Sequence, residues 1–345
     1  MDTLTHALSG ALAARASASG DAPPRSLPRR IAAGFFACAA PDLDFVFAFL
    51  GPVEYVELHR GPTHSLILLP VWALVFSWIL ARILREPGGW RALYGVTALG
   101  LLLHIAGDVI TSYGTTIFWP LSGWRAVLGT TFIIDLWFTG IIVAGLAASL
   151  YLRKSRLPSA AALAFLAGYV GFQYVLKQEA LKFGAEYARA HGFSHASIDA
   201  QPRPVSPFNW TVFVSDEYAH RFAHINLVRK EARPYRPGDG FIAQVDAAYQ
   251  PLGEARWVTR SRYGLTDQAL VREAWQSPAL GFFRWFAALP AFDGITPGST
   301  CVWFIDLRFA SPGRDDVPFE FGACRSAPGA PWRAYDRARP GAPVR

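Results

Sequence analysis

Residues 42–44 read Asp-Leu-Asp, residues 59–64 read His-Arg-Gly-Pro-Thr-His and residues 104–108 read His-x-x-x-Asp, inside a stretch that is otherwise mostly apolar. Ionisable side chains in apolar segments are costly to hold away from water. They are therefore rare there, and they face a bundle interior or mark a site. The types gathered here are His and Asp, the set that holds zinc and similar ions. One stretch thus sets fold and chemistry together: membrane-crossing helices carrying an embedded metal site.

Composition supports the membrane half of that reading. The chain has 345 residues, room for two domains, and is 52% hydrophobic with only 17% charged residues, 12 Trp and 25 Phe. Up to Lys177 there are 13 basic and 9 acidic residues; from Gln178 onward there are 20 and 17. Residues 1–177 are therefore expected to form an all-α polytopic membrane bundle, and residues 178–345 a soluble α+β domain. The net charge of +7 does not gather on one stripe, so no nucleic-acid partner is expected. The apolar run after Met1 is weak and lacks a small-residue cleavage site, so no cleavable signal peptide is expected.

Residues 65–84, 92–110 and 132–152 are long and apolar enough to span a bilayer, and 160–176 is close to the lower limit. Residues 31–50 are also apolar but are interrupted at Pro41. Residues 3–17 read as a short helix with Asp2 or Thr3 as its N-cap. The connectors at 25–30, 82–91 and 153–156, with Arg15, hold 10 of the 13 basic residues of this half. If they face the cytoplasm, the topology alternates consistently and the C-terminal domain lies outside. His6, His59, His64, Asp108 and Asp135 then fall at or near the outer face, with Asp42, Asp44 and His104 slightly deeper.

The spacing suggests how such residues would meet. His104 and Asp108 are four apart on a helix and project from one face. Gly61-Pro62 makes a tight loop that delivers both His59 and His64. Asp42 and Asp44 are two apart, opposite on an α-helix, so one is expected as ligand and the other as a partner orienting a histidine. His6 near the front of the first helix and Asp135 within Phe-Ile-Ile-Asp-Leu-Trp complete the set. Arg60, a rare positive charge on this face, is a candidate for binding an anionic substrate group.

The second half carries weaker signals. Residues 178–191 read as a helix leaving the membrane, 202–207 as a Pro-rich linker, and 210–214, 224–228, 241–245 and 301–309 as strands. Residues 267–288 look helical, and the end from Ser326 reads as a mobile tail. The pairs His191/His195 and His220/His224 lack acidic partners and are expected at the surface. Cys301 and Cys324 suit either a disulfide or two free thiols.

At these residues the chain resembles the YdjM-like bacterial inner-membrane proteins, known as membrane-bound metal-dependent hydrolases. The matching pieces are residues 1–6, Pro41-Asp42-Leu43-Asp44, His59-Arg60-Gly61-Pro62-Thr63-His64-Ser65, His104 to Asp108 running into Thr111-Ser112-Tyr113-Gly114-Thr115, and Phe132-Ile133-Ile134-Asp135. The family is in turn distantly similar to the zinc-dependent phospholipase C and single-strand nuclease superfamily. That similarity implies His6, Asp44, His59, His104 and Asp108 as metal ligands, with Asp135 nearby. The superfamily's N-terminal Trp and its further His and HxxxD pair are missing, which implies one or two ions rather than three.

The expected function is metal-assisted hydrolysis of a phosphoester or lipid-linked substrate at the outer face of the bacterial inner membrane, with membrane lipids as surroundings. Zinc is the expected ion and manganese the other candidate. His6, Asp44, His59, His104, Asp108 and Asp135 are expected as ligands, Asp42 or His64 as general base, and Arg60 as substrate contact. The alternatives are an ion or proton pathway and a metal-stabilised structural module.

Overall fold

The computed structural model describes residues 1–18, 26–296, 300–314, 316–339 and 343–344. Arg25, counted above in the first basic connector, lies outside them. The chain divides into two compact units: Met1–Val46 with Leu58–Val175, and Phe47–Glu57 with Leu176–Arg345.

The first unit is helical. Helix α1 (Thr3–Ala16) starts where Asp2 accepts the Thr5 amide at 3.0 Å, as an N-cap should. Helix α2 (Ser26–Ala39) runs straight into a 3-10 stretch, Ala40–Phe49, because Pro41 cannot donate into an α-helical ladder. After α3 (Pro52–Leu58), which belongs to the second unit apart from Leu58, a 3-10 turn, Pro62–His64, leads to α4 (Leu69–Ile83), followed by α5 (Gly89–Val109) and α6 (Leu136–Tyr151). Helix α7 (Leu157–Ala190) is a single 34-residue helix. The expected fourth span and the expected exit helix are thus continuous, since no Gly or Pro breaks the chain between them.

The packing is that of a membrane bundle, with small residues inside and large apolar ones outside. One core cluster is Ala14, Ala33, Ala37, Leu80, Ala81, Leu93 and Val96. Val71, Leu74, Trp78, Ile83, Leu102, Leu150 and Phe165 are exposed on the helix surfaces. Gly10 and Gly34 let α1 and α2 touch backbone to backbone: a Cβ on Gly10 would stand 2.1 Å from the Gly34 carbonyl oxygen. Among the described residues, three helical stretches are long and apolar enough to cross a bilayer, or four when the bent pair 52–64 and 69–83 counts as one.

Basic residues gather at one end of this unit. Arg15 donates to the carbonyls of Arg153 (2.7 Å) and Ser155 (2.8 Å), while Arg30 reaches those of Ala14 and Ser17.

The second unit is mixed α and β. Strands β1 (Ser197–Pro202), β2 (Asn209–Ser215) and β3 (Ala219–Asn226) form an antiparallel meander. After α8 (Phe241–Ala247), β4 (Gln250–Pro251) and β5 (Val258–Ser261) both pair with β3. Helices α9 (Gln268–Gln276) and α10 (Gly281–Phe286) precede a second antiparallel sheet, β6 (Pro290–Ile295), β7 (Thr300–Asp306), β8 (Phe321–Arg325) and β9 (Arg333–Asp336). Leu176 and Ala180 of α7 pack on Trp210, Val212 and Ile225 of the first sheet. The fold class expected from sequence holds: a helical region with apolar spans, then a mixed α/β region.

Several expectations for this half are corrected. Residues 241–245 lie in a helix, because only Val245 and Asp246 of α8 are buried and no strand partner fixes an extended register. The supposed tail holds β9, paired in register with β8, while residues 340–342 and 345 lie outside the described residues. His191 and His195 are exposed as expected. His220 is instead buried between the Ser215 hydroxyl (2.7 Å) and the Pro290 carbonyl (2.8 Å). His224 is also drawn inward, bonded to the Thr211 hydroxyl at 2.8 Å. Cys301 and Cys324 face each other across β7 and β8 and form a disulfide.

Candidate metal centre

Four elements of the first unit meet at a buried cluster. Helix α1 brings His6, the 3-10 stretch after α2 brings Asp42 and Asp44, the 59–64 turn brings His59 to His64, and α5 brings His104 and Asp108. The turn is sharp because Arg60 takes φ +60 and Pro62 follows. His6, Asp44, His64, His104 and Asp108 are each at most 2% exposed. Burying that many polar groups is unfavourable unless each has a partner.

Their hydrogen bonds indicate where the lone pairs point. The His104 Nδ1 lies 2.6 Å from the Cys38 carbonyl, so Nδ1 carries a proton and, in the neutral ring, Nε2 keeps its lone pair. The Thr63 hydroxyl donates to Asp44 Oδ2 at 3.1 Å and so accepts from His64 Nδ1 at 2.9 Å. That leaves a lone pair on His64 Nε2 as well. The two Nε2 atoms are nevertheless 2.8 Å apart. Asp108 Oδ2 lies 3.0 Å from His64 Nε2 and 3.6 Å from His104 Nε2, and Asp42 Oδ1 lies 3.6 Å from His104 Nε2.

Converging lone pairs repel unless a cation stands among them. Ligand bonds of roughly 2.0–2.2 Å imply ligand–ligand separations of about 3.4 Å around a tetrahedral ion. Distances of 2.8 to 3.6 Å bracket that value. Donor atoms of Asp42, His64, His104 and Asp108 all lie within 4.8 Å of one another. Asp108 Oδ2 makes no well-directed hydrogen bond despite its 3.0 Å ion pair with Arg60 Nε. The donor set, its burial and its spacing fit a divalent metal ion.

The other expected residues surround this group in different ways. Asp44 accepts from His59 Nδ1 (2.7 Å), the Arg60 amide (2.9 Å) and Thr63, which makes it the brace of the 59–64 turn. His59 therefore spends its Nδ1 on Asp44. His6 Nε2 lies 3.0 Å from Asp108 Oδ1, and the Met1 amino group contacts the same oxygen. Arg60 is 3% exposed, donates to Thr111 Oγ1 at 3.1 Å and lies over the Tyr113 ring. Its guanidinium is turned inward onto Asp108. Asp42, at 15% side-chain exposure, is the most open of the four grouped residues, and its other oxygen accepts from Thr3.

Asp135 has different surroundings. It caps α6 by accepting the Trp137 (2.9 Å) and Phe138 (3.0 Å) amides, and it also accepts from Tyr169 and Gln173. Sequence reasoning passed over Thr63, which sits in plain view inside the His-Arg-Gly-Pro-Thr-His run. It also gave no role to Cys38, which carries no spacing signal.

A profile of the YdjM inner membrane protein family matches residues 1–180, more than half of the chain. The chain is 36% identical over 107 residues to the inner membrane protein YdjM of Escherichia coli K12, covering 28% of this chain and 50% of that protein. It is 31% identical over 90 residues to the uncharacterized protein YfhP of Bacillus subtilis 168, covering 26% of this chain and 27% of that one. The matches thus span half or less of the length of these relatives. No solved structure matches the chain. With its apolar spans and its matched first 180 residues, the chain belongs to the YdjM inner membrane protein family.

Proposed function

We propose that the protein is a metal-dependent hydrolase that cleaves a phosphoester or lipid-linked substrate at the outer face of the inner membrane. The observation that carries this reading is the convergence of His64 Nε2, His104 Nε2 and Asp108 Oδ2 with Asp42 Oδ1 beside them. Zinc suits this imidazole and carboxylate set best. His64, His104 and Asp108 would hold the ion, and Asp42, the most open of the group, would ligate it or take a proton from a water.

When bound, the ion supplies Lewis acidity and lowers the pKa of a water into the neutral range. The protein residues do the rest. Asp44, acting through Thr63, fixes the tautomer and tilt of His64. The Cys38 carbonyl does the same for His104. Arg60 and His6 hold Asp108 from either side, and tight burial of the ring faces keeps bulk water to the Asp42 side. Arg60 in this arrangement serves the carboxylate rather than the substrate.

The orientation rests on charge. Arg15 and His6 are nine residues apart on α1, about 14 Å along its axis, so the arginine end and the metal end lie on different levels. With the arginines cytoplasmic, the cluster faces outward, and the disulfide of the second unit suits an oxidising compartment.

The test is hydrolysis by the detergent-purified chain of short-chain phospholipid micelles and of bis-p-nitrophenyl phosphate. Zinc-loaded wild type should turn over at least one, and His104→Ala should not. Zinc-loaded protein inert toward a broad phosphoester and ester panel would contradict the hydrolase reading and favour a closed structural site.

A further inference from the structure

One face of the first sheet of the second unit packs on α7 through Trp210, Val212 and Ile225. The other face carries polar side chains. Gln201, Thr211 and His224 stand opposite one another across β1, β2 and β3, so they share that face. Arg203, two residues after Gln201, joins them. Its Nε donates to Thr211 Oγ1 at 2.6 Å, and Nη1 donates to the Arg308 carbonyl at 3.1 Å. Tyr249, just before β4, meets the His224 ring edge-on at 5.8 Å between centroids.

The hydrogen bonding of this row is incomplete. Arg203 Nη2, Tyr249 Oη and Gln201 Oε1 are buried and make no hydrogen bond, on residues at most 5% exposed. Thr211, having accepted from Arg203, gives its own proton to His224 Nδ1 at 2.8 Å, so the neutral ring carries its proton on Nε2. The row therefore offers three unspent donors and one unspent acceptor. Its charge is unbalanced as well. Among the described residues, Arg203 forms no ion pair. Nearby Asp199 spends its oxygens on the Ala200 amide and the Gln201 side chain, and it also feels the charge of Lys177. Asp306 is committed to Arg308. A buried guanidinium without a counter-charge is costly.

We propose that this row binds a small oxyanion that keeps a proton, of the hydrogenphosphate type. Arg203 Nη2, Tyr249 Oη and His224 Nε2 donate to its oxygens, and the guanidinium offsets its charge. Its own hydroxyl donates to Gln201 Oε1. A water molecule in that place leaves the charge of Arg203 unanswered. Sulfate keeps no proton at neutral pH and sets a lone pair against that of Gln201, so the acceptor selects against it. His224 and Asp199 are only partly buried and open the row to solvent. The site belongs to the second unit and does not rest on the metal-centre reading.

Equilibrium dialysis of the full-length chain in detergent against radiolabelled inorganic phosphate, at constant ionic strength, tests this. All variants carry His104→Ala, so that phosphate held by the metal centre does not contribute. That background should bind one phosphate per chain, with sulfate competing at least roughly tenfold more weakly. Adding Tyr249→Phe, which keeps the ring, should weaken phosphate roughly 10–100-fold. Adding Gln201→Met should keep phosphate binding but abolish the preference over sulfate, a change that loss of folding does not produce. No bound phosphate, which is the result for a row filled by water alone, overturns the proposal. So does phosphate binding that Tyr249→Phe leaves unchanged, or sulfate competing as well as phosphate before Gln201 is replaced.

Discussion

The Nε2 atoms of His64 and His104 stand 2.8 Å apart in a fully buried setting, each ring anchored through its Nδ1. Two neutral imidazoles held that way present lone pair to lone pair. A cation between them turns the repulsion into coordination, and the bracing of both Nδ1 atoms is what a metal-ligating histidine needs. Losing the brace should cost less than losing a ligand. Asp44→Asn should weaken zinc affinity roughly 10–100-fold while leaving the site able to fill at saturation. Competition against a chromophoric chelator measures this. Asp44→Asn that cannot be filled at any zinc concentration would make Asp44 a ligand and reverse its role with Asp42.

Arg60 and Asp108 form a buried ion pair, Nε to Oδ2 at 3.0 Å, with 3% and 0% side-chain exposure. Removing one partner strands the other charge. Arg60→Met should destabilise the metal-free protein by about 3–5 kcal/mol, since a buried carboxylate loses its compensating cation. Zinc should restore much of that loss by supplying positive charge to the same oxygen. Thermal unfolding in detergent, with and without zinc, reads both effects. An equal loss in both states would mean that Arg60 matters only as packing.

The α1–α2 contact should be intolerant of a single methyl group. A Cβ on Gly10 would fall 2.1 Å from the Gly34 oxygen and 2.4 Å from the Cys38 Cβ, so the helices must part. Gly10→Ala is expected to destabilise by roughly 1–3 kcal/mol. It should also lower zinc affinity, because α1 carries His6 onto Asp108. Gly168→Ala on α7, where nothing lies within 4 Å, is the control and should change neither.

The second unit should lose stability in acid through its inward histidines. Burial, helped by the nearby Arg203 charge, pushes the His224 pKa from 6.5 down to about 3. Burial lowers His220 too. Between those values the unfolded chain binds a proton that the folded chain refuses. Stability is therefore full above pH 6.5 and falls as pH drops from 6.5 toward 3, by up to about 1.4 kcal/mol per pH unit for a single group. His224→Gln should flatten this slope relative to wild type. Urea unfolding followed by Trp fluorescence across that pH window checks it, and an unchanged slope would contradict the buried, neutral assignment.

Much of the centre was legible because its spacing is local. His104 and Asp108 share a helix face, and Gly61-Pro62 forces the turn that carries His64. The roles of Asp42 and Asp44 were harder to read. Two residues apart they point oppositely on an α-helix, but the segment is 3-10, with three residues per turn, so both carboxylates reach the same region from different sides. Asp135 looked like a ligand because its surroundings in sequence are apolar. Its lone pairs are instead spent on the start of α6 and on Tyr169 and Gln173, partners more than 30 residues away that no local pattern reveals. Cys38 was silent for a related reason: it meets His6 and His104 only through the packing of three helices. In the second unit, the short apolar run of α8 suits strand or helix equally, and length alone did not decide between them.

The most direct test of the central claim is the metal content of the detergent-purified chain, by elemental mass spectrometry, beside His64→Ala and His104→Ala. The account predicts stoichiometric zinc in wild type and its loss in both variants, each still folded by circular dichroism. A wild type that stays metal-free after reconstitution with zinc would contradict it, and the buried His/Asp cluster would then be a polar network without an ion.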